Sequence, residues 1–159
     1  MVSRKIDEGP DILGAVTFGL IIILLAIIFI IHPSFLAQLI TFVTDIVWQE
    51  VVPGFWWWVP AAPSAHIGFY TIIYQFFIGT LIISIIVLIL RVIFRDTYRR
   101  QIESIGGIVM GAGVVWAAWN LLQPPYAWTV FTGYFIVFGG LSLIISSLGY
   151  WFVRARTSV

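Results

Sequence analysis

Long apolar runs, separated by short polar or proline-rich breaks, organise the chain. Residues 14–31 are almost unbroken Ile, Leu, Val and Phe, with Thr17 the only polar side chain, and Pro33 ends the run. At about 1.5 Å per residue this run covers roughly 27 Å, close to the hydrocarbon thickness of a bilayer. A second run starts near Ser64 and stays apolar to Leu90. No glycine or proline follows before Gly106, so the pattern predicts a helix that continues past Arg91 into RVIFRDTYRRQIE. A third run occupies 105–122. QPPYAW then makes a turn, because two prolines cannot continue a helix, and a fourth run covers 128–153. The expected spans are 14–31, 64–94, 105–122 and 128–153.

The segment 34–52, SFLAQLITFVTDIVWQEVV, has a different pattern. Apolar Phe35, Leu36, Leu39, Ile40, Phe42, Val43, Ile46 and Val47 alternate with polar Gln38, Thr41, Asp45 and Gln49 at a helical period. It predicts an amphipathic helix that lies flat in the membrane surface, re-enters, or docks on the spans. The expected fold is all-α: one domain over 1–159, an integral membrane four-helix bundle with an additional amphipathic interfacial helix on the outer side. Short connections make spans two, three and four antiparallel neighbours.

Charge sets the orientation. The eight basic residues are Arg4, Lys5, Arg91, Arg95, Arg99, Arg100, Arg154 and Arg156. With four spans all of them fall on one side, and the opposite loops, 32–63 and 123–127, hold none. The positive-inside rule then places both termini in the cytoplasm and the protein in the cell membrane. A fifth span through 34–52 would separate Arg91–Arg100 from the N-terminal pair, so four spans are preferred.

Composition agrees: 61% of residues are hydrophobic and 9% charged, against about 25% charged in soluble domains. That excludes an ordinary water-soluble domain. Without cysteine, disulfides, thiolate metal sites and cysteine nucleophiles are excluded too. Arg4 and Lys5 before an apolar run suggest a signal peptide, but Asp7, Glu8 and Asp11 interrupt the basic region and no small-residue cleavage pattern follows. The run reads as a retained span. Tryptophan is asymmetric. Trp48, Trp56, Trp57, Trp58, Trp116, Trp119 and Trp128 fall on the outer side and only Trp151 on the inner. Indole favours the headgroup level, so Trp56, Trp57 and Trp58 read as a membrane anchor, kept non-helical by Pro53, Pro60 and Pro63. An aromatic ligand patch is the alternative.

Candidate chemistry is sparse. No GxSxG, HExxH or Walker motif is present, nor an internal repeat. No enzymatic activity, cofactor or nucleic-acid partner is expected. His66, Tyr70 and Tyr74 share a helix face at i, i+4 and i+8, with Gln75 nearby, Asn120 at the outer end of span three and His32 at the end of span one. These six form a candidate outer polar cluster: a vestibule, a two-histidine metal or haem site, or groups that interfacial water satisfies. Asp45 and Glu50 are the only outer carboxylates and read as the wet face of the amphipathic helix. Arg91, Arg95 and Arg99, at spacing four, form a cytoplasmic basic stripe for topology and anionic headgroups, worth about 1 kcal/mol per residue, or for a cytoplasmic partner. The small residues Gly107 and Gly111, with Gly113 and Ala117 repeating the spacing, and Gly139, Ser142, Ser146 and Gly149 on one face of span four, read as packing surfaces between spans three and four, or between copies.

With HIGFYTIIYQFF running into LILRVIFR, then GAGVVWAAW and a Trp-started last span, the chain resembles small uncharacterised polytopic membrane proteins of archaea. The likeness covers most of the chain and rests on hydrophobic motifs. That group has no established activity, so no functional residue carries over. The leading functional reading is a non-catalytic accessory or scaffold subunit, or a self-associating bundle, because no charge is expected inside the spans. Its partners are the lipid bilayer and a membrane-protein partner or second copy. A small channel or carrier with an outer vestibule is the alternative; a metal or haem protein using His32 and His66 is the second.

Overall fold

The computed structural model describes residues 11–124 and 128–157, with side chains in the last helix as far as Trp151. Arg4, Lys5 and residues 125–127 of the QPPYAW turn lie outside the described residues, as do the side chains of Arg154 and Arg156. The order is α1 (Ile12–Ile31), α2 (Phe35–Thr44), β1 (Ile46–Val52), β2 (Phe55–Pro60), a 3-10 turn (Pro63–His66), α3 (Ile67–Ile93), α4 (Tyr98–Leu121) and α5 (Trp128–Thr157). Among the described residues four helices are long and apolar enough to cross a membrane: Ile12–Ile31, Pro63–Ile93, Tyr98–Leu121 and Trp128–Trp151.

The helices pack in the order α1–α3–α4–α5. α1 starts at Asp11, whose carboxylate accepts from the Gly14 amide at 2.8 Å, an N-cap that satisfies one of the unpaired first-turn donors. Along its whole length α1 buries only Ile28. The seam between α1 and α5 stays open as an apolar cleft of about 320 Å³, floored by Ile72, Ile73 and Phe76 of α3 and edged by Leu25, Ile28 and Phe131. The tightest core lies instead at the hairpin end, where Phe42, Phe69, Tyr70 and Leu121 are buried together beneath Trp128 and Phe131. The Phe42 ring stacks on Phe69 at 4.7 Å and tilts against Trp128 at 5.1 Å.

Three expectations are corrected. The helix over 34–52 ends at Thr44, and its second half is strand, so the fold is not all-α. Ile46, Val47, Val51 and Val52 are β-branched and Trp48 aromatic, types that fit a pleated surface better than a helix. Pro53 and Gly54 turn the chain, with Gly54 at φ +80°, a conformation open to glycine without strain. The tryptophan stretch is non-helical as expected, but it is paired: Trp48 faces Trp58 and Glu50 faces Trp56, with an irregularity between Glu50 and Val52. The Trp48 and Trp58 rings meet edge-on at 5.0 Å.

The second helix does not run on past Arg91. It stops at Ile93, and α4 begins afresh at Tyr98. Arg95 takes φ +52°, the Asp96 amide reaches back to the Arg91 carbonyl at 2.9 Å, and the Arg95 amide to the Val92 carbonyl at 3.2 Å. These are the two bonds of a Schellman stop, with arginine where glycine is usual. The apolar contact that normally closes such a stop is replaced by an ion pair, Arg91 to Asp96 at 3.2 Å.

The glycine assignment also shifts. Gly113 meets α5 as expected and Gly106 joins it, whereas Gly107 and Gly111 do not: a methyl on Gly106 would collide with Ser146, and one on Gly113 with the Phe138 ring. Ser142 donates to the Gly106 carbonyl at 2.8 Å. Gly139 lies loosely over Met110. Gly111 faces Leu81 of α3, and Gly107 has open space beside it.

Candidate functional site

Two polar clusters lie at opposite ends of the long helices. At the hairpin end the organising residue is Asp45, the C-cap of α2. Its backbone carbonyl accepts from Ala61 at 2.9 Å. Its Oδ2 accepts from the Ala62 amide at 2.9 Å and bonds His66 Nε2 at 2.8 Å. The hairpin brings this about: leaving α2 at Asp45 and returning through β2 sets Ala61 and Ala62 against the residue where the chain left. The Ala62 amide and the His66 ring hold the Asp45 carboxyl below its ordinary value of 3.8. His66 is 5% exposed and packs edge-on against Phe42 at 5.4 Å. Tyr70, fully buried, lies under it at 6.3 Å, and its hydroxyl has no hydrogen-bond partner among the described residues.

The six residues of the expected outer cluster do not gather into one site. His66 and Tyr70 are neighbours, but His32 bonds Gln75 through Nε2 at 2.8 Å. Tyr74 packs its ring on Trp119 at 5.6 Å. Asn120 donates to the Trp116 carbonyl of its own helix at 2.8 Å. Gln75 follows His66 by about two and a half helical turns, so the histidines engage different partners at different depths. Among the described residues no group of three or more His, Cys, Asp or Glu could hold a metal ion. Asp45, expected as a solvated face, is the residue that sequence reasoning missed. Its signal was its position as the last polar residue of the helical pattern before a β-branched run.

The second cluster closes the other end. Arg91 is only 6% exposed. Its guanidinium reaches Asp11 at 2.9 Å and Asp96 at 3.2 Å, while Arg100 pairs with Asp96 at 3.3 Å. Gln101 donates to the Asp96 carbonyl at 2.9 Å. Desolvation works against ionisation of Asp11, yet the Gly14 amide and the Arg91 guanidinium hold its carboxyl below the ordinary 3.8. The expectation of no buried charge therefore fails at Arg91, where two carboxylates neutralise the cation at a helix end. Nor do Arg91, Arg95 and Arg99 form one stripe: the first ends α3, the second occupies the stop, and the third begins α4. Arg99 bonds Glu103 at 3.3 Å, the pair their i, i+4 spacing allows, and covers the Tyr150 ring at 5.7 Å.

No family model matches the chain, and neither a curated protein nor a solved structure matches it.

Proposed function

We propose that this is a non-catalytic integral membrane protein that works by assembly, its four spans leaving both termini in the cytoplasm and the tryptophan hairpin at the outer interface. The seam between α1 and α5 receives a helix of a membrane partner. The observation that supports this reading is α1 itself. Among the described residues it packs mainly on α3 and buries only Ile28, beside an apolar cleft of about 320 Å³. Within lipid, helix association depends on close packing rather than on escape from water. A span held on one side only has most of that packing still to make. Its exposed face carries Ile22, Ile23 and Ile30 with only Ala15 and Ala26 as exposed small residues, which suits a partner met largely through bulky side chains.

The cysteine-free chain makes the test direct. Single cysteines at Ile22 and Ile30 are expected to crosslink to a partner in native membranes. A chain that stays monomeric and uncrosslinked at both positions would overturn the assembly reading. Orientation is checked separately: an impermeant thiol reagent should label Ala61→Cys on intact cells and Thr97→Cys only after lysis. Labelling of both from outside would overturn the four-span arrangement.

A further inference from the structure

The hairpin has one face that gathers its tryptophans. Residues directly opposite in an antiparallel pair share a face, as do residues two apart along a strand. Trp48 stands opposite Trp58 and Glu50 opposite Trp56, so three indoles and one carboxylate lie on the same side of the sheet. At the base of this face Ile46 packs on the core and Pro60 is buried. Beyond them it is bare: Trp48, Trp56 and Trp58 are 51%, 49% and 56% exposed. The Trp48 and Trp58 rings meet edge-on with their planes 60° apart. They form a corner in which each indole has at most one face covered by the other.

Charge gives this surface a sign. Glu50 is exposed, and its Oε1 accepts from the Gly54 amide, which holds the carboxylate toward the tip of the hairpin. Residues 32–63 contain no lysine or arginine to neutralise it. The faces of an indole are electron-rich and attract cations. Metal ions and primary ammonium are strongly hydrated, and an open aromatic face cannot replace their water. A quaternary ammonium has no N–H to satisfy. It needs aromatic walls and a nearby negative charge, and this face has both. An exposed carboxylate is costly in hydrocarbon, so the end of the face that carries Glu50 stands in water, and the cation is taken from solution.

We propose that the face formed by Trp48, Trp56, Trp58 and Glu50 binds a soluble quaternary ammonium cation, its methyl groups against the indoles and its charge balanced by Glu50. The inference goes beyond the assembly reading and stands or falls without it. The full chain, in nanodiscs free of choline lipids, is titrated with choline and with the uncharged tert-butyl isostere of choline. Calorimetry and tryptophan fluorescence read the binding. The choline titration is then repeated in nanodiscs of phosphatidylcholine.

Choline should bind in both membranes with the same affinity, and the isostere about tenfold more weakly. Trp58→Leu and Glu50→Gln should each weaken choline binding by about fivefold. Glutamine keeps an oxygen for the Gly54 amide, so Glu50→Gln spares the turn, and a hairpin disturbed by Trp58→Leu does not remove the test. The proposal is overturned by no binding, or by unchanged affinity in Glu50→Gln. Equal binding of the isostere would overturn it too, leaving a plain apolar anchor. So would loss of choline binding in phosphatidylcholine, which would assign the face to a lipid headgroup.

Discussion

Single residues at the hairpin end carry energies that can be read directly. Tyr70 is fully buried and its hydroxyl bonds nothing among the described residues; such a group costs about 1–3 kcal/mol. Tyr70→Phe should therefore raise the melting temperature in nanodiscs, and a marked fall would mean that the hydroxyl has a partner. Asp45 makes a pH prediction. Its folded-state pKa lies below the ordinary 3.8, so its stabilising effect is complete above that value and is lost as pH falls through the lower, folded pKa. The melting temperature should hold down to about pH 4 and drop below it, with a shallower drop in Asp45→Asn. The i, i+4 spacing of His66 and Tyr70 was legible in the sequence. The Asp45–His66 bond was not, because a hairpin rather than a helix brings the two together across 21 positions.

At the scale of elements, the informative places are boundaries. Arg95 sits at φ +52°, where a side chain costs about 1 kcal/mol that glycine avoids. Arg95→Gly should stabilise the protein by roughly that amount and leave α3 and α4 in place, as followed by thermal unfolding. A loss of stability would show that the arginine side chain contributes more than its backbone strain costs. No glycine or proline marked this stop between Gly79 and Gly106; its sequence signal was Asp96 and Thr97, residue types that cap a new helix. The stop is held by side chains from the two flanking helices instead, with Arg91 of α3 and Gln101 of α4 both bound to Asp96. The boundary between α2 and β1 was hidden differently. Phe35 to Val47 fits a helical period throughout, and a short apolar run alone does not separate helix from strand. The pairing of Trp48 with Trp58, ten residues away in the sequence, decides it.

For the whole molecule, the four long apolar helices were legible because apolar runs of that length have few other uses. Which face of each helix meets which neighbour was not, since glycine alone carries no direction. Gly113→Ala should cost about 1–3 kcal/mol, because overpacking against Phe138 forces α4 and α5 apart. Gly107→Ala, with open space around it, should be close to neutral. Comparing their melting temperatures in detergent distinguishes the two faces, and equal losses would refute the α4–α5 register.

The bond from Arg91 to Asp11 links residues 80 positions apart, and that separation has a consequence for synthesis. α1 leaves the ribosome long before its ionic counterpart exists. It has no such partner until α3 has been made and the chain has turned at Asp96. The ionic seat of α1 therefore closes only after 80 further residues have been translated.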